Sequence, residues 1–242
     1  MRPAFTMLIL VLATTTALTA ARFQIGLQEQ DSACFSPNNG ISFPNPFEEQ
    51  LSCPNSFLKS RPDYSSLGAY VDGTNLNASP GGAYVAARML DELTVTGGVG
   101  PGVLRVTFNL DGTITTTGPG ALGGADFLGQ IDSVFSVIQC LATCSESDTI
   151  DVPFTYGVPF FVDLRLNLVL TGGTGTVDFF SSADLAPFQI LDTSLQPTSG
   201  GFVTSSTFNY PVAGPAAIPE PRTFVLVAIA LAGAACRRKW HW

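Results

Sequence analysis

Residues 160–170 alternate without a break. Phe160, Val162, Leu164, Leu166, Leu168 and Leu170 share one parity, and Phe161, Asp163, Arg165, Asn167 and Val169 share the other. A period of two over a run of this length marks a β-strand with one face in a core and one toward water. Burying five or six such side chains at about 1.5–3 kcal/mol each makes this segment central to the fold.

The surrounding sequence supplies partners for it. Leu104, Val106, Phe108 and Leu110 alternate with Arg105, Thr107 and Asn109, and Asp111-Gly112 follows as a hairpin signal. A two-residue loop pairs Asn109 with Ile114. A three-residue loop over Leu110, Asp111 and Gly112 pairs Phe108 with Ile114, and is the preferred register because it puts Gly112 where a left-handed residue is wanted. Further strands are expected at residues 83–88, 91–96, 149–154, 175–180, 187–191, 201–206 and 208–210. Phe127 to Leu141 is ambiguous: Ile131, Phe135, Ile138 and Ala142 have helical spacing, but the Val, Phe and Ile content favours strand, above all in the second half. Gly97-Gly98, Gly123-Gly124, Gly172-Gly173 and Gly200-Gly201 read as turns. Short strands separated by turn residues predict an all-β chain, an antiparallel β-sandwich of jelly-roll-like kind over residues 66–214. Residues 22–65, rich in Pro, Asn, Ser and Phe without a sustained period, read as an irregular lead-in.

Both ends of the chain have a different character. Arg2 precedes an apolar stretch from Ala4 to Leu18, and the small residues Thr19, Ala20 and Ala21 precede Arg22. That pattern predicts a signal peptide over residues 1–21, helical and cleaved near Ala21. At the other end Pro219, Glu220 and Pro221 exclude helix and hold Glu220 in extended chain. An apolar run follows: Thr223, Phe224, Val225, Leu226, Val227, Ala228, Ile229, Ala230, Leu231, Ala232, Gly233, Ala234 and Ala235, with Cys236 after it. Counted through Cys236, these residues reach about 21 Å as a helix, short of the roughly 30 Å bilayer core. Arg237, Arg238 and Lys239 form a basic stop that stays cytoplasmic and leaves the preceding chain outside.

The order of these three parts resembles the PEP-CTERM sorting signal of bacterial exported proteins. The resemblance rests on Pro219, Glu220 and Pro221, the segment 223–235 and the basic stop; Trp240-His241-Trp242 is an unusual ending. It implies a sorting tail over residues 218–242, an exosortase as partner, transient membrane contact through the tail, and delivery to the cell surface or extracellular matrix. Residues 177–185, 188–192, 91–98 and 152–157 are similar in composition to segments of PEP-CTERM cargo domains. That similarity implies location and fold and carries over no catalytic residue.

Between the two ends, six basic residues stand against eighteen acidic ones, a formal −12 over residues 22–218. Such a surface repels nucleic acid and anionic lipid. The single histidine, His241, lies in the tail, so residues 22–218 contain no Ser-His-Asp or Cys-His catalytic set and no histidine metal ligand. Glu48-Glu49 and Asp91-Glu92 are adjacent acids that read as solvated loop charge. Cys34, Cys53, Cys140 and Cys144 allow three pairings, of which Cys34–Cys53 and Cys140–Cys144 are the simplest. The expectation is a non-catalytic exported protein of the cell surface or exopolysaccharide matrix, with no cofactor and no metal. The alternative is a carbohydrate-binding module, for which Tyr64, Tyr70, Tyr84, Tyr156 and Tyr210 are the available amphipathic rings. A carboxylate-based hydrolase ranks behind it and requires two acids facing across a groove.

Overall fold

A computed structural model describes residues 20–78 and 81–214 of the chain. These residues form fifteen strands: β1 (Arg22–Glu29), β2 (Cys34–Phe35), β3 (Glu49–Ser52), β4 (Ser56–Pro62), β5 (Ser66–Gly73), β6 (Ala83–Thr96), β7 (Pro101–Thr117), β8 (Leu122–Ile131), β9 (Val134–Cys140), β10 (Cys144–Thr155), β11 (Phe160–Thr171), β12 (Thr174–Leu185), β13 (Gln189–Leu191), β14 (Phe202–Thr204) and β15 (Asn209–Tyr210). They make an eight-stranded sheet ordered β15-β14-β6-β11-β8-β9, with β1 and β2 joined through β6, and a seven-stranded sheet ordered β10-β7-β12-β5-β4-β3, with β13 on β7. Every pairing between these strands is antiparallel. The described residues contain no helix. The expected signal helix and the expected apolar C-terminal helix lie outside them.

The two sheets share one core. Val162, Leu164, Leu166, Leu168 and Leu170 of β11 are buried, as the alternation requires, beside Val85, Ala87 and Met89 of β6. Phe108 of β7 meets Phe127 of β8 across the layers with ring centroids 5.7 Å apart. Glycine at 129 leaves room for the Phe108 ring. Polar links join the layers at several points, among them Ser136 Oγ on β9, which donates to Asp148 on β10 at 2.6 Å. Ser60 Oγ on β4 donates to the Ala86 carbonyl on β6 at 2.9 Å, and Ser56 Oγ donates to the buried Glu29 carboxylate at 2.6 Å.

Three expectations need correction. The lead-in is not irregular: β1 to β4 lie in residues 22–65 and belong to both sheets, so no boundary falls at residue 66. Phe23, Ile25 and Leu27 alternate inward along β1, a signal masked by the loop-rich stretch behind it. Asp111-Gly112 is not a turn, since β7 runs straight through it and pairs Gly112 with Cys144. Glycine is required there for another reason: a Cβ at 112 would collide with the Phe179 ring and the Asp178 carbonyl. Gly123-Gly124 likewise lies inside β8, where Gly123 sits against Ile114 and Val177 of the opposite sheet. The ambiguous segment is strand in both halves, β8 and β9, turned at Asp132 with φ 51°.

Candidate functional site

The outer face of the eight-stranded sheet brings together residues far apart in sequence. Register places Gln24, Arg88, Arg165 and Leu128 in one row across β1, β6, β11 and β8. The next row is Gly26, Ala86, Asn167 and Asp126, and the row beyond begins Gln28, Tyr84, Val169. Gly26 and Ala86 are the smallest side chains in the first two of these rows. They leave a groove of two adjoining lobes that share these residues as lining, about 130 Å³ beside Gln24, Arg88 and Arg165 and about 220 Å³ beside Gln28, Asn39 and Tyr84. Asn167 borders both lobes.

Asp163 organises the first lobe. It points to the outer face yet is only 1% exposed, because two guanidiniums cover it. Arg88 Nε and Nη2 donate to its two oxygens at 2.9 and 2.8 Å, and Arg165 donates to the same carboxylate. Burial alone would raise its pKa, but the bonds from Arg88 and then Arg165 outweigh burial and hold it below the ordinary carboxylate range. Like charges directly opposite on neighbouring strands repel, and Arg88 faces Arg165 in the ladder. The shared carboxylate makes that pairing tolerable. Arg88 Nη1 also donates to Gln24 Oε1 at 3.1 Å, and Gln24 Nε2 donates to Ser42 Oγ at 2.7 Å.

The second lobe is amide-lined. Asn39 is fixed by the Leu27 backbone, accepting from its N–H at 2.8 Å and donating to its carbonyl at 3.1 Å. Asn167 donates to Asp126 at 2.7 Å. The Tyr84 hydroxyl donates to the Gly81 carbonyl at 3.1 Å, which holds its ring beside the groove. The site is thus a preorganised polar surface of planar side chains around a small-residue floor. Among the described residues that line it, no nucleophile and base are in contact.

Other features of the outer surface differ in kind. The seven-stranded sheet carries a bulge in β12, where residues 180–182 oppose Gly68 and the Phe180 ring lies under Lys59 Nζ at 3.7 Å and Arg61 at 4.8 Å. A cavity of about 350 Å³ between Pro101, Pro153, Phe154 and Pro159 is lined mainly by apolar groups, with Asp132 on its wall.

The predicted residues fall as follows. Cys34–Cys53 and Cys140–Cys144 are both disulfide-bonded. The first bridge ties β2 to the end of β3, and the second closes the passage from the eight-stranded to the seven-stranded sheet. Pro219, Glu220 and Pro221, residues 223–235, and Arg237 to Lys239 lie outside the described residues. Of the five tyrosines, Tyr84 borders the groove, while Tyr64 stacks on Phe208 at 4.7 Å and Tyr210 is buried. The adjacent acids are separated by strand alternation or engaged elsewhere: Asp91 is buried, Glu48 pairs with Lys59 at 3.0 Å, and Glu49 accepts from Ser36 and Asn38. Asp91 was expected to be solvated; β6 turns it inward. Among the described residues no group of three or more His, Cys, Asp or Glu side chains could hold a metal ion, and no helix is long and apolar enough to cross a membrane.

No family model matches the chain, and no curated protein matches it. Among solved structures it is similar to the enzymatically active domain of tailspike protein 4 of bacteriophage CBA120, at 12% identity and a TM-score of 0.25, covering 61% of this chain and 19% of that one. The chain spans about a fifth of that structure, and a likeness at this TM-score carries no argument.

Proposed function

We propose that this chain is an exported, non-catalytic protein of the cell surface or extracellular matrix, a β-sandwich domain sorted by an exosortase through its C-terminal tail. The observation that carries the reading is the ordered tail: a proline-flanked glutamate, an apolar run too short for a lasting anchor, and a basic stop. Two further features support it. Both disulfides join strand ends, and such bridges persist in oxidising compartments. Strand β1 begins at Arg22, directly after the expected cleavage point, so removal of residues 1–21 leaves every strand whole. The outward faces use Thr, Ser and Asn more than charge, which suits a domain packed among other extracellular polymers.

The test is fractionation of cells expressing the natural chain, with and without a functional exosortase. The expected result is accumulation at the surface or in the matrix, lost to the membrane fraction when the exosortase is disabled. Recovery of the intact chain from the cytoplasm contradicts the reading.

A further inference from the structure

We infer that the groove over Gly26 and Ala86 is a binding site for a neutral polysaccharide. The inference is independent of tail processing; it draws on the matrix reading only for the source of the glycan. Three observations lead to it. First, the groove wall carries both donors, the Arg88 and Arg165 guanidiniums, and side-chain amides that donate and accept, as sugar hydroxyls require. Among the described residues no hydrogen bond is made by the Gln28 amide or to the Asn167 side-chain oxygen, while the Asn167 nitrogen donates to Asp126. Second, the floor is flat and small, and the Tyr84 ring beside it is held through its hydroxyl. That combination offers an apolar patch to the C–H face of a sugar ring next to polar groups for its hydroxyls.

Third, charge selects for a neutral ligand. Arg88 and Arg165 are balanced by Asp163 beneath them and by Asp126 behind Asn167. The described domain as a whole has six basic and eighteen acidic residues, so its field repels polyanions. A groove with paired cations on a strongly acidic domain reads hydroxyls through fixed guanidinium and amide groups rather than attracting net charge. Rows from Gln24 to Gln28 lie four residues apart, about 13 Å along the strand, which gives a chain rather than a monosaccharide somewhere to lie.

Affinity electrophoresis of the full-length chain in detergent tests this, using dextran, amylose, xyloglucan and galactomannan as neutral probes and alginate and polygalacturonate as acidic ones. At least one neutral polymer is expected to retard the protein, with retardation unchanged between low and high salt. Ala86→Leu fills the floor and should weaken that retardation about tenfold or more. Gln28→Ala, at an exposed position, should weaken it about three- to tenfold, the range a lost hydrogen bond gives. Equal thermal midpoints for variants and parent exclude misfolding, and Gln28→Ala remains informative if Ala86→Leu does not fold. No retardation by any neutral polymer overturns the inference. So does retardation by the acidic polymers alone that salt abolishes, or neutral-polymer binding that both variants leave untouched. Protein that stays in the membrane fraction yet still binds through this groove would refute the sorting reading and leave this one standing.

Discussion

The Tyr210 hydroxyl donates a 2.8 Å hydrogen bond to Asp91 Oδ2 with both side chains buried. Strand β15 has two residues and pairs with β14, so this bond ties it directly to β6, while the Tyr210 ring packs on Phe188 and Phe208. Burial first, then the neighbouring Asp91 charge, pushes the phenol above its usual range, so Tyr210 remains the donor at any ordinary pH. Tyr210→Phe keeps the ring packing and removes the bond. It should destabilise the protein by about 1–3 kcal/mol, the cost of leaving a buried acceptor short of a partner, measured by urea unfolding.

Asp91 and Asp163 give opposite pH dependences. Burial raises the Asp91 pKa despite its bonds from Tyr210 and the Glu92 N–H. The folded state therefore holds its proton more tightly than the unfolded one, and this group's contribution is present below the ordinary carboxylate value and lost as pH rises through the raised value. Asp163 is lowered in the folded state. Its contribution is present above the ordinary carboxylate value and lost as pH falls through the lowered value. Asp91→Asn should hold the thermal midpoint steadier as pH rises from the acid range toward neutral. Asp163→Asn should depress the midpoint at neutral pH, because Arg88 and Arg165 then face each other uncompensated, and should shrink the acid-side loss. A series of melts across pH reads both.

The bulge in β12 depends on Gly68. A Cβ at that position would overlap the Phe180 carbonyl, a backbone atom that also accepts from Arg61 Nη2 at 3.2 Å. Gly68→Ala must displace the bulge and with it the Phe180 ring from beneath Lys59 and Arg61. The expected cost is about 1–3 kcal/mol by thermal or chemical unfolding.

The two disulfides should differ in worth. Cys34–Cys53 spans 19 positions and Cys140–Cys144 spans 4. In the chain-entropy view the longer loop contributes about 3 kcal/mol and the shorter about 2. Cys34→Ser/Cys53→Ser should therefore lower stability more than Cys140→Ser/Cys144→Ser, compared by denaturant midpoints at equal m-value.

What the sequence revealed was local. The alternation around Leu166 identified β11 and its buried face, and Leu104 to Leu110 did the same for the inward positions of β7. Gly112 misled because glycine serves both turns and close packing, and the Phe179 ring that demands it is remote in sequence. Asp91 misled because adjacency to Glu92 reads as a charged pair, while a strand sends neighbours to opposite faces. The groove was illegible for a related reason. Gln24, Arg88 and Arg165 meet only through the register of β1, β6 and β11, and no short motif encodes such a row.

The central claim is that both ends of this chain are addresses removed or engaged during export. Mass spectrometry of the surface-exposed form tests it most directly. The account predicts a mature species lacking residues 1–21 and ending near Pro219 to Pro221. A surface species that still yields peptides from residues 224–242 would contradict it.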